Sequence, residues 1–489
     1  MQKEELFTDE YVKQWFNEIE AEPSTKSNYT HSLYLFTQFT GKAPKELIED
    51  AEAEMGVPLR RQKLKLYLPE FAHWVEEDFR QKYDREIAPK TLKDRVAGVR
   101  SFYQAFEIQV PKNTKKINRA EALPENQEIP TLEMVKEALN VAGIRDRALL
   151  LAMLGSGFGD SEILNIKIKD VMRGRDYDPH LIGRSEEGIR RWIEEEKRKV
   201  NEAIDAEDLS YGITTIRATR KKTGMLFFAF LTPEATLAIL DYLEWRNREP
   251  KYENYRGRYL KGVLTSSYEK RKIRSVDGYV FIRNNVPDEF LPLDVLKRIY
   301  EGSKSAEERY ENSKLRRLKD GDRPNDERLR VLNRSGLTRV FRELAKRIGV
   351  DTDWGKWQVL RGHGLRKLFN SQLLNDGCPV KAVEFWMGHR LPEQRAAYYR
   401  ASETELREHY AEHMQVLFTG RIEIKRLKSE EFKVIEQEMR AKDDSILNLR
   451  TEMEELRKRS EQSAKFMAEF TNLVTEDPAV MKKFKKRFD

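Results

Sequence analysis

Residues 1–118 have the hydrophobic pattern of a small helical domain. Its clearest predicted helix runs over about 91–106. Apolar residues recur there every three or four positions, at Leu92, Val96, Val99, Phe102, Tyr103 and Phe106. A stripe of this kind is typical of a helix that packs one side against a core.

The opposite side of this helix and the segment after it are basic. The residues concerned are Lys93, Arg95, Arg100, Lys115 and Lys116. A charged helix face in contact with water is the ordinary interpretation of such residues. Contact with nucleic-acid phosphates is the alternative, and it gains weight if a nuclease-like site lies elsewhere in the chain.

A second, larger domain is predicted from about residue 131. Residues 119–130 contain two prolines and are typical of an extended linker. Beyond the linker, a helix over 145–154 ends at a glycine-rich segment, and a short helix over 160–164 is expected to follow.

Two segments farther along predict a β-hairpin. Residues 213–218 and 225–231 are rich in β-branched and aromatic side chains. They flank a basic tip that contains Arg220, Lys221 and Lys222. The predicted fold class is therefore mainly α with a small β-sheet.

The C-terminal residues 421–489 carry a repeat with steps of three and four residues. It passes through Ile435, Met439, Lys442, Ile446, Leu449, Met453 and Leu456. Heptads sustained over this length predict a coiled-coil-like helix that pairs with another chain. A single long helix that packs on its own domain is the alternative.

Composition limits the function classes. With 489 residues the chain has room for two to four domains. Its net charge of +7, within a chain that is 35% charged, fits a protein that binds a polyanion on one face. Charged stretches at about 173–210, 245–275 and 300–330 are predicted to be insertions or mobile loops, which contact DNA or only increase solubility.

Compartment signals point to the cytoplasm. Cys378 is the single cysteine, so a disulfide framework is excluded and a reducing environment is favoured. The polar, acidic start does not resemble a signal peptide, and we find no apolar run near the roughly 18 residues of a membrane span. We therefore expect a soluble protein without a membrane partner.

The residues between 363 and 399 carry the candidate chemistry. The chain reads His363-Gly364-Leu365-Arg366, then Gly388-His389, then Tyr398-Tyr399. A phenol is a nucleophile for a phosphodiester, a guanidinium holds phosphate oxygens, and imidazoles move or position protons. This set requires no metal. A zinc site from His363, Cys378 and His389 is disfavoured, because paired ligands at short spacing are lacking.

These motifs resemble those of the tyrosine recombinases of the phage integrase family. The family's second box, His-x-x-Arg, matches His363 and Arg366, its Gly-His matches Gly388-His389, and its nucleophile about nine residues later matches Tyr398. Tyr399 is the alternative nucleophile. The doubled tyrosine resembles archaeal plasmid and viral integrases. The resemblance covers most of 1–420.

The resemblance implies an architecture. A helical, SAM-like core-binding domain (1–118) and a catalytic domain (131–420) would clamp double-stranded DNA, with the tail (421–489) outside the resemblance. The chains would form a dimer on DNA and a tetramer in the synapse. DNA strands would be cut and rejoined through a 3′-phosphotyrosine for integration, excision or resolution of a mobile element, without a cofactor.

The resemblance also implies roles for single residues. Arg366 would clamp the phosphate, and His363 and His389 would orient or accept the phenolic proton. Lys222 would protonate the departing 5′-oxygen, a role for which Lys221 and Arg220 compete. The three cations of the hairpin tip are also candidate DNA contacts.

One departure from the family is serious. The family's first box reads roughly Gly-x-Arg-x-x-Glu, and the matching stretch here has Gly159 in place of the arginine while keeping Glu162. The loss of one such donor typically costs about 10²–10³ in rate. The sequence offers several candidate substitutes without ranking them: Arg145, Arg147, Arg184 and Arg220.

Two alternatives follow from this pattern. A catalytically weakened DNA-binding or architectural protein would keep the clamp without the chemistry, and Gly159 is its main support. A type IB topoisomerase uses a similar set of residues but acts as a monomer; the heptads and the integrase-like spacing argue against it.

Overall fold

The computed structural model describes residues 2–112, 128–220, 224–250, 258–300, 304–352, 358–389 and 402–420. The chain divides into two compact units. The first comprises Met1–Ile129 and Thr352–Val359, and the second comprises Pro130–Asp351 and the chain from Leu360 onward. The division after Ile129 lies at the end of the predicted linker, most of which is outside the described residues.

The described residues of the first unit form helices and no strand. The α-helices are α1 (Lys3–Leu6), α2 (Glu10–Glu18), α3 (Pro23–Thr40), α4 (Pro44–Ala53), α5 (Lys63–Tyr83) and α6 (Pro89–Gln104), with a short 3₁₀ helix at Leu59–Arg61.

The core of the first unit is aromatic. Trp15, Phe36, Phe71 and Phe102 are fully buried and lie in edge-on or stacked ring contacts. The predicted stripe of α6 is confirmed from Leu92 to Tyr103, while Phe106 follows the helix and is half-buried. The apolar stripe could be predicted from the sequence because α6 buries only one side against the core.

The second unit begins with six helices, which are followed by a β-hairpin. They are α7 (Leu132–Val141), α8 (Ile144–Ser156), α9 (Asp160–Leu164), α10 (Ile168–Gly174), α11 (Pro179–Ile182), α12 (Glu186–Asp205), and the strands β1 (Thr214–Thr219) and β2 (Leu226–Leu231).

The remaining described helices complete the second unit. They are α13 (Pro233–Asn247), α14 (Arg258–Arg271), α15 (Leu293–Tyr300), α16 (Lys304–Asp320), α17 (Arg334–Arg347), α18 (Gly362–Asn375), α19 (Val380–Trp386) and α20 (Glu403–His413), with 3₁₀ turns at Asp288–Phe290, Glu327–Leu329 and Met414–Leu417.

Helix α8 is the central element of the second unit. Every residue from Ala148 to Ser156 is buried, and the helix packs against α13, α18 and β2. It ends at Gly157, whose φ of +64° belongs to the left-handed region. A Cβ there would lie 2.4 Å from the Phe369 ring, so glycine permits both the turn and the close approach of α18.

The predicted hairpin is present. Strands β1 and β2 pair antiparallel, with Thr214 opposite Leu231 and Thr219 opposite Leu226. The β2 side chains pack against α19 and α8. The predicted fold class, mainly helical with a small sheet, is confirmed for the described residues.

The charged stretches are largely helical, so the expectation of loops is wrong there. Helix α12 buries Ile189, Trp192, Ile193, Val200 and Ile204, which recur at helical spacing among charged residues. Helices α14 and α16 lie in the other two stretches. The many charged residues concealed the helical spacing of the apolar ones, which pack into the core of the second unit.

Helix α12 is also fixed by a buried ion pair. The Glu196 carboxylate accepts a 2.6 Å hydrogen bond from Nε of Arg175 and another of 2.6 Å from the Tyr177 hydroxyl. The Arg175 guanidinium also donates to the carbonyl of Ile213, next to β1. This cluster therefore attaches α12 to the hairpin.

Two further predictions concern the tail and membranes. The predicted coiled-coil helix in 421–489 lies outside the described residues. Among the residues that are described, no helix combines the length and apolar character that crossing a membrane requires.

Candidate active site

The segment that carries His363 and Arg366 meets the glycine-rich first-box segment at the start of α18. Gly362 is the first residue of that helix, and a Cβ there would lie 2.0 Å from Oδ1 of Asp160 on α9. This close approach brings the turn that carries His363 and Arg366 against the glycine-rich segment after α8. Residues far apart in sequence thereby share one site.

Arg366 is the best-fixed group of the site. Its side chain is buried; it donates at 2.7 Å to the carbonyl of Gly157 and also to the carbonyl of Met387. Its Nη2 lies 2.8 Å from Nε2 of His389. The guanidinium therefore joins the turn after α8 to the turn after α19.

Burial and, after it, the nearby positive charge of Arg220 lower the pKa of Arg366 to about 10, while Glu162 and Glu384 oppose the shift. The group therefore stays positive at neutral pH, which the predicted role in binding phosphate requires.

His389 links Arg366 to a carboxylate. Its Nδ1 lies 2.6 Å from Oε2 of Glu384, and its Nε2 faces the Arg366 guanidinium. Because a guanidinium can only donate, Nε2 must accept, which assigns the ring proton of the neutral imidazole to Nδ1. His389 is thus oriented by Glu384 on one side and Arg366 on the other.

His363 lies at the exposed side of the site. Partial burial lowers its pKa below 6.5, and the charges of Lys367, Arg361 and Arg366 lower it further, while Asp160 opposes them. The imidazole is therefore neutral at pH 7 and is chemically able to accept a proton.

Arg220 approaches the same site from the hairpin. It follows β1, and its Nη1 donates at 2.9 Å to the carbonyl of Met387, the oxygen that Arg366 also uses. The same nitrogen lies 3.8 Å from Oε1 of Glu162. Its backbone carbonyl accepts from the amide of Gly224 at 2.8 Å, across the hairpin tip.

Two of the other three candidate substitutes for the first-box arginine form hydrogen bonds elsewhere, and the third is exposed. Arg145 donates to the carbonyl of Ile282 and to Asn284, and Arg147 donates to the carbonyl of Leu139. Arg184 is exposed between α11 and α12. Of the four candidates, Arg220 is the one that shares a hydrogen-bond acceptor with Arg366.

Several predicted site residues lie outside the described residues, and their roles stay predictions. They are Tyr398, Tyr399, Lys221, Lys222, Lys115 and Lys116.

Two residues of α6 that were predicted to contact DNA form hydrogen bonds within the first unit. Arg95 donates at 2.8 Å to Oδ1 of Asn28 on α3, and Arg100 donates to the carbonyl of Pro111. Burial lowers the pKa of both arginines. Lys93 is half-buried. Phosphate contact by these residues remains a prediction.

Sequence reasoning missed Glu384 and Asp160. Asp160 interacts with Arg334, whose Nε lies 3.8 Å from its Oδ2, and burial raises the pKa of Asp160. Glu384 lies five residues before His389, on the preceding helix. A carboxylate at this spacing is too common to be recognised without knowledge of the turn between them.

The described residues contain no group of three or more His, Cys, Asp or Glu side chains that could hold a metal ion. Cys378 is buried, and its burial raises the pKa of the thiol to about 12. A low-dielectric environment of this kind keeps the thiol protonated.

The described site combines a buried arginine with two histidines in a mainly helical fold. Residues 268–405 match the model of the phage integrase family. This range includes His363, Arg366, His389, Tyr398 and Tyr399. The predicted resemblance to tyrosine-type site-specific recombinases is confirmed over this segment.

Comparison with solved structures gives similar proteins of low identity. The chain is similar to XerA recombinase (16% identity, 83% of this chain and 98% of that chain, TM-score 0.29). It is similar to XerH site-specific recombinase bound to its difH substrate (14%, 78% and 78%, TM-score 0.37). It is also similar to the Tn1549 transposon integrase in complex with transposon right end DNA (12%, 86% and 99%, TM-score 0.39). A comparison with curated protein sequences found no match.

Proposed function

We propose that this protein is a site-specific DNA recombinase that cuts and rejoins strands through a 3′-phosphotyrosyl intermediate. The observation that carries the proposal is the set of contacts of Arg366, which joins Gly157, Met387 and His389 in one buried site. The match of residues 268–405 to the phage integrase family supports it. The reaction would integrate, excise or resolve a mobile element.

The proposed cleavage step requires neither a metal ion nor ATP. The phenolic oxygen of Tyr398, or of Tyr399, attacks the scissile phosphorus, and its proton passes to His363. The bond from phosphorus to the 5′-oxygen breaks, and Lys222 supplies the proton of the departing hydroxyl. Rejoining runs the same steps in reverse, so the phosphotyrosine conserves the energy of the broken bond.

Arg366 would act throughout by holding the non-bridging phosphate oxygens. Its planar donor fork matches the spacing of these oxygens, and its burial strengthens each charged hydrogen bond. His389 and Glu384 would keep the fork in position. The neutral His363 imidazole supports its assignment as the proton acceptor.

The domain assignment belongs to the same proposal. Residues 1–118 would be a core-binding domain, 119–130 a linker, 131–420 the catalytic domain and 421–489 a pairing helix. The DNA-bound XerH and Tn1549 structures concern those proteins, and they motivate the same partner, double-stranded DNA, for this chain. A dimer on DNA and a tetramer in the synapse follow from the resemblance.

The finer resemblance to archaeal plasmid and viral integrases rests on the doubled tyrosine before Arg400. The single cysteine and the DNA substrate favour the cytoplasm as the compartment.

Covalent trapping tests the proposal. The full chain is incubated with nicked duplexes whose central sequence is randomised, so that cleavage near the nick releases a short strand and prevents rejoining. We expect DNA–protein adducts on a denaturing gel, and we expect mass spectrometry of the nuclease-treated adduct to find a phosphorylated tyrosine at position 398.

The two tyrosines provide matched variants. Tyr398→Phe should abolish the adduct, and Tyr399→Phe should retain it; the reverse result would assign the nucleophile to Tyr399. Absence of any adduct under conditions where the protein binds the same duplexes would favour the architectural alternative. Relaxation of supercoils by a monomer would favour the topoisomerase.

A further inference from the structure

The position of the missing first-box arginine has an unusual environment. Gly159 has φ −80° and ψ 173°, an extended conformation that any residue adopts, so the backbone does not require glycine there. A Cβ at this position would lie 2.7 Å from Oε2 of Glu162. A longer side chain would thus begin against the Glu162 carboxylate.

The arginine that faces this carboxylate comes from the hairpin instead. Nη1 of Arg220 lies 3.8 Å from Oε1 of Glu162, whose side chain is 8% exposed. Arg220 itself is 22% exposed, so its guanidinium is held against the protein but remains accessible. The first box therefore keeps its glutamate, and the positive partner of that glutamate comes from another element.

Arg220 and Arg366 lie side by side. Both donate to the carbonyl oxygen of Met387, Arg220 through Nη1 at 2.9 Å and Arg366 through Nη2. Two guanidinium groups on one acceptor repel each other, and a shared anion relieves that repulsion. A phosphodiester carries its negative charge on two non-bridging oxygens, which is the form of anion that two adjacent donor forks bind.

We propose that Arg220 is the second phosphate-binding arginine of this active site and takes the role that the family gives to the residue at position 159. The inference rests on the proposed function and names a further catalytic residue for it. Bond making and breaking are unchanged: Arg220 supplies hydrogen bonds and positive charge to the pentavalent phosphate while the phenolic oxygen replaces the 5′-oxygen.

A purely structural role for Arg220 is the competing explanation. Its bond to the carbonyl of Met387 also attaches the hairpin tip to the turn that carries His389. Both explanations predict a slower Arg220→Ala variant, so the test needs a readout that depends on phosphate charge. A methylphosphonate at the scissile position provides it, because a methyl group replaces one charged oxygen and makes the phosphate neutral.

The experiment measures single-turnover covalent cleavage at saturating protein, with a substrate sequence recovered by covalent trapping. On the phosphodiester we expect Arg220→Ala to be about 10²–10³-fold slower than wild type, and Arg220→Lys to recover only part of the rate. On the methylphosphonate we expect the deficit of Arg220→Ala to shrink to about tenfold or less.

Two other variants serve as the positive and the negative control. Arg366→Ala should show the same pattern, because its clamp acts on the same charge. Arg198→Ala removes one exposed arginine whose partner, Glu202, lies on the same helix, and it should cleave both substrates at the wild-type rate.

Two results would overturn the inference. One is wild-type cleavage by Arg220→Ala, and the other is an equal deficit on the charged and neutral substrates, which would assign Arg220 a structural role. Failure of the wild-type protein to form any adduct is a different result, because it removes the proposed function and this inference with it.

Discussion

At the scale of residues, the site is organised by backbone carbonyls. Arg366 is buried, yet its fixed partners are the carbonyls of Gly157 and Met387 and the imidazole of His389. Carbonyls carry no formal charge, so they fix the guanidinium without neutralising it. The positive charge remains available to a phosphate.

The protonation state of His363 gives a prediction at this scale. Burial and neighbouring cations hold the pKa of His363 below 6.5, so the imidazole becomes protonated only as the pH falls below that value. A protonated imidazole cannot accept the phenolic proton. We therefore expect the rate of covalent cleavage to be level near neutral pH and to decline only as the pH falls below the ordinary histidine pKa of 6.5.

The measurement is a single-turnover pH profile of adduct formation. His363→Gln should react more slowly and should lose the acid decline. If the decline persists unchanged in that variant, another group controls it, and the assignment of His363 as proton acceptor is wrong.

At the scale of elements, the charged helix α12 is a structural part of the second unit. Glu196 is fully buried, pairs with Arg175 and accepts from Tyr177. Loss of the carboxylate charge would leave the Arg175 guanidinium buried without a matching anion. The helix therefore depends on this pair for its attachment beside β1.

We expect Glu196→Gln to lower the free energy of opening of α12 by about 3–5 kcal/mol. Glu202→Gln is the matched control, because it removes an exposed pair with Arg198 on the same helix and should leave the protection of the helix close to that of the wild type. Hydrogen exchange of peptides from Glu186–Asp205 in the full chain measures both. Equal protection in the two variants would contradict a structural role for the buried pair.

At the scale of the whole molecule, the role of the C-terminal tail (421–489) is still a prediction. Its heptads predict pairing between chains, and it lies outside the described residues. Pairing of this kind would raise the local concentration of active sites for the proposed reaction, for which the family resemblance implies several subunits.

Truncation after Arg421 tests that prediction. If the tail pairs chains, light scattering of the truncated protein should give a smaller mass than the full chain at equal concentration. The truncated chain retains every described element, so its thermal unfolding should remain cooperative. An unchanged mass would remove pairing by the tail and leave the single packed helix as the explanation.

Some residues of the site could be predicted from the sequence and others could not. His363, Arg366 and His389 were predicted from their residue types and their match to the family's motifs, and they do lie together. Glu384 was missed, because its role depends on a turn geometry that no spacing reveals. Arg220 was predicted only as one of four candidate cations, because the orientation of a hairpin tip relative to α18 and α19 is a tertiary property.

The sequence by itself determined the helices with one apolar side, the hairpin and the order of the chemical motifs, since these depend on local periodicity and residue type. Tertiary structure alone decided which cation stands beside Arg366 and that the charged stretch around Glu196 is a packed helix. The physical reason is that charge placement and burial depend on contacts between residues far apart in the chain. Arg220 and Met387 are such a pair, and their sequence numbers differ by 167.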